Sequence, residues 1–118
     1  MRRRALLPAL LAVPVAATAA ACGRGRAAAP PRPAVTVVVR NIAFEPAEVE
    51  VESGQVVEWV FDDGGILHHV QGEEFDSGIV GAGTFRHEFT EVGERPYLCS
   101  VHPHMTGLVR VVAGGRQR

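Results

Sequence analysis

The segment Tyr97-Leu98-Cys99-Ser100-Val101-His102-Pro103-His104-Met105 carries a thiol, an imidazole and a thioether at Cys-x2-His-x2-Met spacing. Each donor lies three residues from the next, so a short loop can curl all three side chains around one point. Soft sulfur with imidazole suits copper, and a trigonal His2Cys set with a weak axial Met is the blue-copper arrangement. The second histidine must come from elsewhere, and the adjacent His68 and His69 are the candidates. Structural zinc fits less well, because its sites usually hold two or more cysteines or a closed Cys/His tetrahedron. Taken singly, each residue has a plainer explanation: Cys99 as a small buried hydrophobe, Met105 as a core filler, His102 as loop surface. Their combination is what points to a metal. His87, between Phe85 and Phe89 on the same strand parity, reads as a packing histidine instead.

A loop of this kind needs rigid strands on both sides, and the flanking sequence supplies the pattern. From Ala34 onward the apolar period is two: Val35, Val37 and Val39 share one face, and valines alternate with acids in Glu48-Val49-Glu50-Val51-Glu52. Val57, Trp59 and Phe61 repeat the alternation after a Ser53-Gly54 turn, and Phe85 and Phe89 alternate with Arg86 and Glu88. Residues 95–99 and 108–112 complete the series, and Asp62-Asp63-Gly64-Gly65 reads as a loop. No part of this region sustains a 3.6-residue period. An antiparallel sandwich or barrel is expected, in a chain whose 118 residues suffice for one small domain and exclude most multidomain enzymes.

The N-terminal third is organised differently. Residues 1–21 read as an export signal, with Arg2, Arg3 and Arg4 before an uncharged Ala/Leu/Val run that ends in small residues. Pro8 and Pro14 and the short run disfavour a retained membrane helix, which needs about 20 apolar residues. Thr18-Ala19-Ala20-Ala21-Cys22-Gly23 resembles a bacterial lipobox, with Ala19 where Leu is usual, so Cys22 is expected to carry a lipid. Residues 22–33, rich in Ala, Pro and Arg, read as a flexible tether. The domain is expected over 34–113, followed by a tail at 114–118. The net charge of −1 hides a strong asymmetry: between Ala34 and Ala113 all thirteen acids face only four arginines, a local −9. Nothing here suggests nucleic-acid binding.

From about Thr36 to Val112 the chain resembles a cupredoxin of the plastocyanin and amicyanin type. The landmarks run in order: Phe44-Glu45-Pro46-Ala47, Val57-Glu58-Trp59, His68-His69-Val70, Phe75-Asp76-Ser77-Gly78, Phe89 with Gly93, and Tyr97-x-Cys99 with His102, Met105 and Gly107. The short ligand loop is like that of amicyanin. The resemblance implies a Greek-key β-sandwich of about eight strands holding one type 1 copper through His68, Cys99, His102 and Met105. It selects His68 because family members show a ligand histidine followed by Asn or Thr and Val. Strand alternation agrees, since His68 and Val70 share one side and His69 points away. His69 then stands where the family ties its two ligand loops together, within reach of Ser100.

The expected role is one-electron transfer between a redox donor and an acceptor, a cytochrome, oxidase or dehydrogenase. The protein is expected to be an exported monomer in the periplasm or on the outer face of the cytoplasmic membrane, held by the lipid on Cys22. Leu67, Pro103 and His104 would surround His102 as a docking patch, and the acidic strand faces would steer a basic partner. The alternative is copper delivery without a redox role. An oxidase or reductase is disfavoured, since such enzymes need further histidine-rich sites and only His87 lies outside the two histidine pairs.

Overall fold

The computed structural model describes residues 11–15 and 32–114. Residues 11–15 are exposed and form neither strand nor helix. Cys22, the rest of the proposed signal, the tether as far as Pro31 and the tail beyond 114 lie outside the described residues. Among the described residues no helix is long and apolar enough to cross a membrane.

Residues 32–114 form an all-β fold of nine strands: β1 (Val35–Arg40), β2 (Ala43–Glu45), β3 (Glu48–Glu52), β4 (Gln55–Phe61), β5 (His68–Gly72), β6 (Asp76–Val80), β7 (Gly83–Phe89), β8 (Gly93–Leu98) and β9 (Thr106–Val112). They make two sheets, ordered β2-β1-β4-β7 and β3-β9-β8-β5-β6. The expected sandwich is present, but the expectation that it is antiparallel is corrected at two pairings: β1 runs parallel to β4, and β3 runs parallel to β9. Apolar alternation specifies which face of a strand is buried, not the direction of its neighbour, so both pairings satisfy the same sequence pattern.

The two sheets share one hydrophobic core. Val37 pairs with Trp59, and Trp59 in turn pairs with Phe85, which places three large side chains side by side on one face. Trp59 is fully buried and meets Tyr97 edge-on, with ring centroids 5.4 Å apart, and Phe75 in a stack at 5.7 Å. On the opposite sheet Val49 and Val51 of β3 pair with Val109 and Val111 of β9, while Glu48, Glu50 and Glu52 face outward. Tyr97 lies across from Gly107, and a Cβ there would collide with its ring. That fit seats β8 against β9 immediately before the Cys99 loop. Burial pushes the Tyr97 phenol up to about 12, against a smaller opposing pull from the Trp59 indole.

Candidate metal centre

β8 ends at Leu98, so Cys99 opens the connection to β9 rather than closing the strand. The connection folds back on itself: the Cys99 amide donates to the Met105 carbonyl and the Met105 amide donates to the His102 carbonyl, both at 2.9 Å. Pro103 occupies the second position of that four-residue turn, where its fixed φ is favourable. The turn draws the thiol and the His102 ring to the same point. Met105 is buried at the far end of the loop, and Cys99 is 1% exposed.

His68, fully buried, is the first residue of β5 and lies opposite this loop, its ring centroid 4.9 Å from that of His102. The Cys99 Sγ is 4.0 Å from His68 Nδ1 and 3.7 Å from His102 Nδ1. All three donor atoms lie within 4.8 Å of one another. Metal–sulfur and metal–nitrogen bonds of about 2.0–2.3 Å in a trigonal plane separate the donors by roughly 3.5–3.8 Å. The triangle fits one ion held by one thiolate and two imidazoles, a donor set that suits copper.

The outer nitrogen of His68 is also occupied. Nε2 donates to Asp63 Oδ2 at 2.7 Å. That hydrogen bond, followed by those from the Ile42 and Asn41 amides, holds the Asp63 carboxyl below the usual carboxylate range against partial desolvation. A carboxylate can only accept, so Nε2 carries a proton, and in the neutral ring the Nδ1 lone pair faces the thiol. Sequence reading passed over Asp63 as part of a glycine-rich loop. The available signal was a carboxylate five residues before a ligand histidine.

His69 takes no part in the triangle. Its Nε2 donates to Asp76 Oδ1 and its Nδ1 accepts from the Ser100 hydroxyl, both at 2.6 Å. The imidazole therefore ties the β5–β6 pair to the ligand loop, and neither nitrogen is left for a metal. Asp76 is held below the usual carboxylate range first by the Gly78 amide and then by His69. Alternation placed His69 on the side away from His68, and that side is buried rather than solvated: His68, His69 and Val70 are all buried. The pairing of β5 with β6 shifts register between His69 and Gln71, and the freed Val70 amide donates to Ser77 Oγ at 2.9 Å.

Pro103 and His104, both exposed, line a cleft of about 260 Å³ with Ile42, His102 and Met105. Leu67, 53% exposed, precedes His68 but does not line this cleft. Ile42, on the turn between β1 and β2, was not anticipated. His87 stacks on Phe75 at 5.4 Å and meets Phe89 edge-on at 4.7 Å, away from the triangle.

No family profile matches the chain. It is 34% identical to amicyanin from Paracoccus versutus over 92 residues, covering 69% of this chain and 67% of that protein. A purple cupredoxin from Nitrosopumilus maritimus superposes with a TM-score of 0.60 at 28% identity, covering 65% of this chain and 98% of its own. A copper-containing nitrite reductase from Thermus scotoductus gives a TM-score of 0.63 at 33% identity over 76% of this chain. This chain spans only 24% of that enzyme. From its likeness to amicyanin along most of both chains, and from the sandwich it shares with the solved structures, the chain belongs to the cupredoxin family.

Proposed function

We propose that this protein is an electron carrier that moves one electron at a time through a copper ion held by His68, Cys99, His102 and Met105. The observation that carries this reading is the triangle of His68 Nδ1, Cys99 Sγ and His102 Nδ1. Bound there, copper would supply a Cu(I)/Cu(II) couple. Cys99 would supply the thiolate, His68 and His102 the two imidazoles, and Met105 a thioether, the donor set of a blue-copper site. The hydrogen bonds on His68 and within the 99–105 turn are made by polypeptide groups alone, so they would hold the donors in place through a change of oxidation state. His102 is the most exposed of the four and opens onto the cleft with Ile42 and Pro103, which makes it the route by which an electron reaches a partner.

Copper delivery is the weaker reading. His68, Cys99 and Met105 are each 3% exposed or less, which leaves an acceptor's ligands little access to the ion. Loading the protein with Cu(II) tests the main reading. An intense visible thiolate-to-copper band with reversible one-electron reduction is expected, and a colourless Cu(II) form overturns it.

Residues 1–21 act as an export signal in this reading, and Cys22 is the lipid-bearing residue after cleavage. The support is the arginine-led apolar run and the small residues before Cys22. Mass spectrometry of the mature N-terminus should find a diacylglycerol-modified Cys22; an unmodified cysteine, or cleavage elsewhere, removes the anchor.

A further inference from the structure

We propose that Asp63 is a positioning residue whose single carboxylate locks the ligand histidine His68 to the β1–β2 turn that forms a wall of the His102 cleft. The copper reading above is needed only for the predicted effect on reduction potential; the positioning itself is a property of the polypeptide.

Three donors converge on this side chain. Oδ1 accepts from the Asn41 amide at 3.0 Å, and Oδ2 accepts from the Ile42 amide at 3.2 Å and from His68 Nε2 at 2.7 Å. Asn41 and Ile42 have φ values of 56° and 52°, the left-handed region. Asn tolerates that region, but a β-branched residue there is a genuine outlier that its surroundings must enforce. Two adjacent amides fixed on one carboxylate are the restraint that does so. The carboxylate is itself immobilised, because the Asp62 amide donates to Val39 of β1 and the Asp63 carbonyl accepts from Ile66. Its side chain is only 12% exposed although it sits in a solvent-facing loop.

The turn so held presents Ile42 to the cleft shared with His102, Pro103, His104 and Met105. One residue thereby sets both the tautomer of the buried ligand His68 and the wall beside the exposed ligand His102. A carboxylate accepting from a ligand imidazole raises its donor strength and favours the more highly charged metal state. Asp63 accordingly favours Cu(II) and lowers the potential, while fixing the surface over which a partner would approach.

The experiment compares full-length wild type with Asp63→Asn, Asp63→Glu and Asp63→Asn combined with Asn41→Gly and Ile42→Gly. In the metal-free protein, at mildly alkaline pH, nitrogen NMR should show His68 as the Nε2–H tautomer in wild type. Asp63→Asn should give mixed tautomers and at least tenfold faster amide exchange at Asn41 and Ile42. The glycines relieve the left-handed strain but supply no acceptor, so exchange in the turn should stay fast and the tautomer mixed, which marks the carboxylate rather than the backbone as the restraint. In the copper-loaded protein Asp63→Asn should raise the potential by a tenfold change in the Cu(II)/Cu(I) preference, 59 mV for one electron, with Asp63→Glu nearer wild type. A pure Nε2–H tautomer in Asp63→Asn, turn amides that exchange as in wild type, or an unchanged potential with the visible band retained overturns the proposal. Loss of the visible band in wild type would instead defeat the copper reading and leave the metal-free arms to decide the role of Asp63.

Discussion

At the scale of single residues, two neighbouring histidines of the same type divide the work by what each ring nitrogen meets. His68 has one nitrogen on Asp63 and one facing Cys99, whereas His69 has both engaged by Asp76 and Ser100. His68→Ala removes a corner of the triangle and should abolish the visible copper band. His69→Ala leaves the triangle intact and should keep the band while lowering stability. It cuts two hydrogen bonds at a site where the ring is 10% exposed, which costs about 1–3 kcal/mol by the loss of buried polar partners. Urea unfolding checks the stability and absorption checks the band. A colourless His69→Ala variant would exchange the two assignments.

At the scale of elements, β7 carries a histidine where its pattern calls for an apolar side chain. His87 pairs with Val57, stacks on Phe75 and meets Phe89, so burial pushes its pKa down, with Glu74 and Glu88 pulling weakly the other way. A histidine whose folded pKa lies below the unfolded value of 6.5 contributes full stability above that value. The contribution is lost as pH falls from there through the folded pKa, because the unfolded chain binds the extra proton. The melting temperature should therefore fall between pH 7 and 5, by more in wild type than in His87→Phe. Parallel pH dependence in the two proteins would show that this ring does not contribute. The strands most legible in the sequence are those that, like β7, rely on alternation: β1, β3, β4, β7, β8 and β9. β2 is three residues long, too short to display a period. β5 was legible only in the alternation of His68 and Val70, and β6 was hidden, because polar side chains do part of their pairing, with Ser77 serving the Val70 amide and His69 reaching Asp76 and Ser100. The cysteine, His102 and Met105 were legible because one loop carries them. Asp63 was not, since its partners Asn41, Ile42 and His68 converge on it only after folding.

At the scale of the whole molecule, the excess of acid is not distributed toward the cleft. Each of the four arginines between Ala34 and Ala113 sits beside a glutamate: Arg40 by Glu45, Arg86 by Glu58, Arg95 by Glu74, and Arg110 by Glu48 and Glu94. Such surface pairs add little stability, but they leave the field of the folded domain set by the remaining acids, including the outward Glu50 and Glu52 of β3. The cleft at His102 contains no carboxylate. Attraction at a distance and contact at the proposed electron exit would therefore be handled by different surfaces, the first screened by salt over a Debye length of about 8 Å at physiological ionic strength and the second not. Stopped-flow oxidation of the reduced copper protein by a cationic complex such as tris(1,10-phenanthroline)cobalt(III) should slow as salt is added. Oxidation by anionic ferricyanide should accelerate, because screening removes repulsion. Opposite salt slopes for the two reagents would mark the whole-domain charge as the steering element. Rates independent of salt for both would mean that only the carboxylate-free cleft is sensed, and that the acids on β3 serve solubility rather than encounter.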